Sequence, residues 1–169
     1  MGHAAAMSAD TKESFGTLLE RHRGIVLKVA RTYAYDADDR ADLAQEIAAQ
    51  LWRAYPRYDP ERTFSTWMYR IALNVAISFV RNDGRRDRQA VPLDEELHDL
   101  AGDGVDHEKE QQLRALRRFI SQLPPLDRAL MLLYLEDRSG REIAEVLGIS
   151  ESNVTTKIGR LKQRIRNEI

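Results

Sequence analysis

A turn with strong helix-breaking character, residues 148–150, constrains the C-terminal part of this chain more than any other feature. Apolar residues recur at helical spacing before it, at Ile143 and Leu147, and after it, from Val154 to Ile165. Glycine suits the positive φ that often ends a helix, and serine is a favoured cap for the next one. Two amphipathic helices around so tight a turn predict a helix-turn-helix, whose second helix presents hydrogen-bonding and cationic groups to a DNA major groove.

The second helix of this motif carries a polar and partly basic face opposite its apolar stripe. An ordinary helical hairpin with a solvated basic face would show the same pattern, so the other parts of the chain must distinguish the two interpretations. We expect the DNA-facing residues of the cap and helix to be Ser150, Asn153, Thr155, Thr156, Lys157, Arg160, Lys162 and Arg164.

Composition narrows the class of protein. The chain has 169 residues, of which 43% are hydrophobic and 31% charged, and its formal net charge is -1. A protein that coats nucleic acid is usually basic overall, so acidic residues must be concentrated away from any DNA-binding face. The absence of cysteine excludes disulfides and thiolate metal sites. No apolar run is long enough to span a membrane and no signal peptide is evident, which predicts a cytoplasmic protein without membrane insertion.

The N-terminal half reads as three helices, over residues 14–35, 39–55 and 66–82, with residues 1–13 as a disordered leader. The third helix, for which Ser65 is a candidate N-cap, combines aromatic residues and an amide with few carboxylates, and arginines follow it. Such a surface suits single-stranded nucleic acid, because aromatic faces stack on bases and arginines hold phosphates. Trp67 could equally be a core residue.

An acidic stretch, residues 89–110, separates this half from four further helices, of which the last two form the helix-turn-helix. We therefore predict an all-α protein: a first domain over residues 14–88, an acidic flexible linker over 89–110, and a four-helix domain over 111–169. No phosphate-binding glycine loop and no histidine-carboxylate cluster at ligand spacing is present. We expect no metal, no cofactor and no enzymatic activity.

Four stretches, taken in this order, resemble the extracytoplasmic-function group of the sigma-70 family of bacterial sigma factors. They are residues 42–47 with Leu51-Trp52, residues 64–74, the Leu123-Pro124 pair, and residues 142–150. Each motif alone is weak to moderate, but their order around an acidic linker is strongly specific. The resemblance covers nearly all of residues 14–169.

The resemblance implies a role for each domain. The first would bind core RNA polymerase, melt the promoter near its minus-ten element and capture a flipped base beside Asn74, and the second would bind the minus-thirty-five duplex. The implied polymerase contacts are Asp42, Leu43, Gln45 and Glu46. The implied minus-ten contacts are Tyr58, Phe64, Ser65, Trp67, Asn74, Arg81, Arg85 and Arg86, with the loop over residues 58–65 as the rim of the base pocket.

The family also implies partners beyond the polymerase and promoter DNA, since its members are usually held inactive by an anti-sigma factor. One departure concerns the recognition helix, where Thr155, Thr156 and Gly159 stand at positions that commonly carry larger or basic residues. The alternative hypothesis is a polymerase-independent DNA-binding regulator, in which only the helix-turn-helix domain contacts DNA.

Overall fold

The computed structural model describes residues 9–82 and 107–169, with side chains from Ser14 onward, and these two ranges are entirely helical apart from short turns. The all-α class predicted from the sequence is confirmed. The α-helices are α1 (Ala9–Arg21), α2 (Arg23–Tyr33), α3 (Ala37–Ala54), α4 (Phe64–Asn82), α5 (His107–Ser121), α6 (Pro125–Leu135), α7 (Gly140–Leu147) and α8 (Glu151–Glu168).

Helices α2, α3 and α4 pack against one another to form the first module. Asp36 caps α3 through its side chain, which accepts a hydrogen bond from the backbone N–H of Asp39 at 2.8 Å. The apolar stripes of the three helices meet in a dry core, whose fully buried members include Val29, Leu43, Ile47, Leu51, Met68 and Ala72. The amphipathic spacing of each helix is therefore what assembles the module.

Two helix boundaries differ from the sequence prediction. The helix expected over residues 14–35 starts at Ala9 and breaks at His22, which has φ -109° and ψ 16°. Gly24 lowers the helix propensity at this point. The apolar spacing continues across the break, so the sequence pattern alone does not reveal it. Ser65 is not an N-cap as we predicted, because α4 already begins at Phe64, and the backbone N–H of Trp67 bonds to the carbonyl of Thr63.

Helices α5 to α8 form the second module, and the turn at residues 148–150 has the predicted geometry. Gly148 has φ 68° and ends α7, and the Ser150 side chain accepts from the N–H of Asn153 at 3.0 Å to cap α8. The first helix of this module begins at His107, so the last four residues of the predicted linker are helical. The rest of that linker, residues 89–106, lies outside the described residues.

The two modules pack directly against each other. Helix α4 contacts both α6 and α7, and α2 contacts α5 and α6. Nothing in the sequence pattern predicted this contact. In the described ranges, no helix combines the length and hydropathy needed to cross a bilayer.

Candidate functional site

An open groove runs between α3 and α4 and is both acidic and rich in amides. Its lining residues are Asp42, Glu46, Gln50, Asn74, Val75, Ser78, Phe79 and Asn82. Gln50 donates a hydrogen bond to Glu46 at 3.1 Å, and none of the described lining residues is a cation. Two carboxylates without a neutralising partner in the groove favour a cationic or amino-bearing ligand and disfavour a phosphate.

The groove contains part of the set predicted to bind polymerase. Asp42, Gln45 and Glu46 are exposed on α3, with Asp42 and Glu46 one turn apart on the groove wall. Leu43 is 0% exposed and packs in the core of the first module, and a direct polymerase contact by Leu43 stays a prediction. Residues 42–47, which carry part of the resemblance, thus contain two exposed carboxylates and one leucine that packs in the core.

A cluster of half-buried aromatic rings holds the loop that precedes α4. The ring centroids of Tyr58 and Trp67 are 5.0 Å apart, those of Phe64 and Trp67 5.4 Å, and those of Tyr58 and Phe64 5.6 Å. The Tyr58 hydroxyl donates to the carbonyl of Arg62, and burial raises the pKa of Tyr58. The sequence left open whether Trp67 is a core residue or part of a base-stacking surface. In the structure it packs in this cluster and still exposes part of its surface, so both interpretations apply.

The described minus-ten residues lie on α4 and on the loop before it. Asn74 is exposed in the acidic groove and follows Phe64 by ten residues, which is about 15 Å along a helix. No residue of the 58–65 loop is among the described lining of that groove, and the role of this loop as the rim of a base pocket stays a prediction. Arg81 is exposed near the end of α4, and Arg85 and Arg86 lie outside the described residues.

Ser65 is already engaged within the chain. Its hydroxyl accepts a hydrogen bond of 3.0 Å from Arg138, which also lies 5.1 Å from the centre of the Tyr69 ring. Sequence reasoning missed Arg138, because an arginine in a polar turn gives no signal of a contact 73 residues away. The surface around the start of α4 is therefore partly covered by the second module.

The recognition helix α8 buries Val154, Ile158 and Leu161 and turns a short polar face outward. The exposed residues of that face and its margins are Asn153, Thr155, Thr156 and Arg160, with Lys157 half-buried beside them. The Thr155 hydroxyl donates to the carbonyl of Glu151 at 3.1 Å, and the exposed Ser150 uses its hydroxyl as the helix cap. The first two to three turns of the helix thus offer a set of hydrogen-bonding groups.

Two residues predicted to contact the duplex, Lys162 and Arg164, lie against aromatic rings of the second module. The Lys162 ammonium lies 4.7 Å from the centre of the Tyr134 ring, and the Arg164 guanidinium lies 5.2 Å from that of Phe119. Cations over aromatic faces at these distances are attracted to the ring. Both side chains therefore lie beside α5 and α6 on the flanks of α8, and their contact with a duplex stays a prediction.

Gly159 provides a test of how the recognition helix is built. A Cβ added there meets no atom within 4 Å, whereas Gly148 has a positive φ that strains any other residue. We expect Gly159→Ala to raise the free energy of unfolding by about 1 kcal/mol, because alanine favours helix. The matched change Gly148→Ala lowers it by about 1–2 kcal/mol. Urea denaturation of both variants measures these shifts, and a destabilising Gly159→Ala would contradict this geometry.

No group of three or more histidine, aspartate or glutamate side chains converges on a point within residues 14–82 and 107–169. His107 lies 3.9 Å from Glu110 at the start of α5, and Glu110 is already paired with Arg114 at 2.8 Å. His98, the other histidine of the predicted linker, is outside the described residues.

Comparison with known proteins agrees with this division into modules. The family model for sigma-70 region 2 matches residues 18–86, and that for sigma-70 region 4 matches residues 113–165. The RNA polymerase sigma factor CnrH of Cupriavidus metallidurans is 33% identical over 173 aligned residues, which cover 96% of this chain and 90% of CnrH.

Solved structures show the same fold. CnrH in complex with the cytosolic domain of CnrY superposes with a TM-score of 0.65 at 23% identity, covering 92% of this chain and 87% of CnrH. The Bartonella quintana sigma factor RpoE, in complex with the anti-sigma factor NepR, superposes with a TM-score of 0.70 at 16% identity, covering 92% and 96% of the two chains. Matches to both family models and to a full-length relative show that this chain belongs to the sigma-70 family, as a sigma factor of its extracytoplasmic-function group.

Proposed function

We propose that this sigma factor acts as a non-enzymatic cytoplasmic specificity subunit, which brings core RNA polymerase to promoters and opens them at the minus-ten element. The observation that carries the proposal is the pairing of two surfaces of different chemistry. The first module presents an acidic groove with no described cation in its lining, and the second presents a helix-turn-helix. The first suits a basic protein partner, and the second suits a DNA duplex.

The acidic groove supports polymerase binding through Asp42, Glu46 and the neighbouring Gln45. Exposed carboxylates accelerate encounter with a basic partner surface and set the orientation of docking. Their placement on a regular helix fixes them relative to one another, because the i, i+4 positions share one face. The polymerase-binding role therefore belongs to these three residues, with Leu43 as the packing residue beneath them.

Strand opening is proposed for the aromatic cluster and Asn74. The partly exposed rings of Tyr58, Phe64 and Trp67 offer faces on which an unpaired base stacks, and the Asn74 amide offers both a donor and an acceptor to a base edge. Arg81, Arg85 and Arg86 would add phosphate contacts, which increase affinity without reading sequence. Phe64, Trp67, Asn74 and Arg81 lie along α4, so a single displaced strand could follow this helix.

Upstream binding is proposed for the start of α8. Asn153, Thr156 and Arg160 present the hydrogen-bonding groups that read base edges, while Lys157 and the hydroxyl of Thr155 lie at the margins. The two structural neighbours were solved with the cytosolic domain of CnrY and with the anti-sigma factor NepR. We propose that an anti-sigma factor also regulates this chain.

Reconstituted transcription tests the proposal. Core polymerase is incubated with a library of genomic promoter fragments, with and without this chain, and the 5′ ends of the transcripts are sequenced. We expect new start sites that share a minus-ten and a minus-thirty-five motif and require the chain. Unchanged start sites together with no core binding in gel filtration would contradict it.

The same chain and promoter sequences also test the alternative hypothesis of a polymerase-independent DNA-binding regulator. The isolated chain is titrated against duplexes that carry the enriched motifs, in the absence of polymerase. Our proposal expects weak binding that becomes strong only with core polymerase. Tight autonomous binding to a palindromic duplex would instead favour the regulator.

A further inference from the structure

Helix α1 is held to the first module by a buried aromatic ring. Within residues 14–21, the part of α1 whose side chains the structure describes, Phe15 alone is buried, with 0% of its surface exposed. Its ring stacks on that of Tyr55 at 4.4 Å between centroids and meets Trp52 edge-on at 4.5 Å. Trp52 and Tyr55 lie one turn apart at the end of α3, so they share one face and flank Phe15 on two sides.

The backbone after α3 places a second tyrosine over the first. Tyr55–Arg57 form a single turn of 3-10 helix, which has about three residues per turn, so side chains at i and i+3 eclipse each other. The N–H of Tyr58 bonds to the carbonyl of Tyr55 at 2.9 Å, and their rings are nearly parallel, with 14° between the planes and 6.0 Å between the centroids. Pro56 fixes φ inside this turn. The stacking of Tyr58 on Tyr55 therefore follows from the local sequence.

Phe15, Tyr55 and Tyr58 together form a ring column, in which Tyr55 is the shared middle ring. Separations of 4.4 and 6.0 Å between the centroids are close to those at which aromatic pairs attract each other. The lower ring is fully buried, and the middle and upper rings are half-buried. The ring column thus begins in the core, on α1, and ends in the loop that precedes α4.

The upper ring of the column belongs to the surface to which we assign base stacking. Tyr58 lies 5.0 Å from Trp67 and 5.6 Å from Phe64, measured between ring centroids. A ring that must first be ordered loses side-chain entropy when it takes up a ligand, whereas a ring held in place does not. The position of Tyr58 therefore affects how well this loop receives an unpaired base.

The C-terminal end of α1 contacts the same loop at a second point. The ring of His22, at the break between α1 and α2, lies 4.9 Å from that of Phe64. Because a carbonyl oxygen only accepts, the Nδ1 of His22 carries a hydrogen and donates to the carbonyl of Leu18 at 2.9 Å, which orients the ring. Helix α1 therefore supports the loop from beneath through Phe15 and from the side through His22.

We propose that Phe15 is a positioning residue for promoter opening, which supports Tyr55 and so holds Tyr58 where a base can stack. Phe15 acts through Tyr55, since its own ring is fully buried. The support of the loop by the ring column is independent of the proposed function, while its consequence for strand opening rests on that function.

Hydrogen exchange of the full chain, followed by mass spectrometry, tests the support itself. Phe15→Ala removes the lower ring and leaves a cavity into which Tyr55 can shift. The amides of residues 58–65 should then exchange about fivefold faster, because local opening costs less free energy, while those of α6 keep their rates. Leu19→Ala, one turn along α1 and half-buried against the core, is the matched control and should leave the loop unchanged. Unchanged loop exchange in Phe15→Ala would overturn the ring column.

Permanganate footprinting of the reconstituted holoenzyme tests the consequence for strand opening, on a promoter found by transcript sequencing. At saturating chain, reactivity of unpaired thymines on the duplex should fall about tenfold in Phe15→Ala, the loss expected when one base stacks poorly. Core binding, measured by anisotropy, should be retained. A template that is already mismatched through the minus-ten element needs no opening, so it should restore transcription. Equal losses on the duplex and the mismatched template would indicate general damage and overturn the positioning role.

The Tyr58→Ala variant tests the route from Phe15 to the promoter. If Phe15 acts through Tyr58, adding Phe15→Ala to Tyr58→Ala should reduce opening no further, whereas two independent losses would multiply and overturn this route.

Circular dichroism checks that each variant is helical. If Phe15→Ala does not fold, Phe15→Leu, which keeps an apolar side chain without the flat ring, is judged by the same outcomes. If the parent holoenzyme opens no promoter, the proposed function fails, and the ring column is judged on hydrogen exchange alone.

Discussion

Glu46→Lys lowers the affinity for core polymerase by about 30-fold, roughly 2 kcal/mol, because it replaces an attractive charge in the groove with a repulsive one. The Glu46 side chain is exposed and accepts a hydrogen bond from Gln50 one turn away, so the fold should be retained. Fluorescence anisotropy of the labelled chain, titrated with core polymerase at two salt concentrations, measures the loss. The loss should be smaller at high salt, where surface charges are screened.

Glu20→Lys is the matched control on the same module. Glu20 is an exposed carboxylate at 3.2 Å from Arg23, and it lies outside the acidic groove. Reversing its charge changes the net charge of the chain by the same amount, and an exposed pair of this kind contributes little to stability. Equal losses for the two variants would show that only overall charge matters, and would contradict a specific role for the groove.

The parts of the fold that could be predicted are those that depend on residues close together in the sequence. The caps at Asp36 and Ser150 and the left-handed glycine at 148 act within four residues, so they could be predicted from the sequence alone. The break at His22 could not, because the apolar spacing keeps the same phase on both sides of it. The start of α4 was misplaced for a related reason, since a serine near a helix start predicts a cap, whereas the hydroxyl of Ser65 serves a distant arginine.

The sequence identified individual residues of the functional surfaces, but it did not predict how the fold arranges them. A motif identifies Asp42, Glu46 and Asn74 separately, and only the packing of α3 on α4 brings them into one groove. The contact between modules left no trace in the sequence, because Lys28 and Glu136 each look like solvated charges until the fold brings them together. Leu43 stands inside the same motif, but its side chain packs in the core, which the motif alone does not reveal.

Asn74→Ala lowers promoter-dependent initiation by about tenfold while core polymerase binding stays within about twofold, since a base contact through an amide contributes about 1–3 kcal/mol. Permanganate footprinting of unpaired thymines measures strand opening, and anisotropy measures core binding. Ser78→Ala, one turn further along α4 on the same groove, is the matched control and should leave both unchanged.

The Asn74→Ala variant distinguishes a base contact from a polymerase contact in the shared groove. Asn74 lines the same depression as Asp42 and Glu46, so one occupant could contact all three. If the base and the polymerase bind separately, the effects of Asn74→Ala and Glu46→Lys on initiation at sub-saturating polymerase should add within about 0.5 kcal/mol. If Asn74→Ala weakens core binding as much as initiation, and the double variant is no worse than Glu46→Lys, then Asn74 is a polymerase contact. Base capture would in that case belong to the aromatic cluster alone.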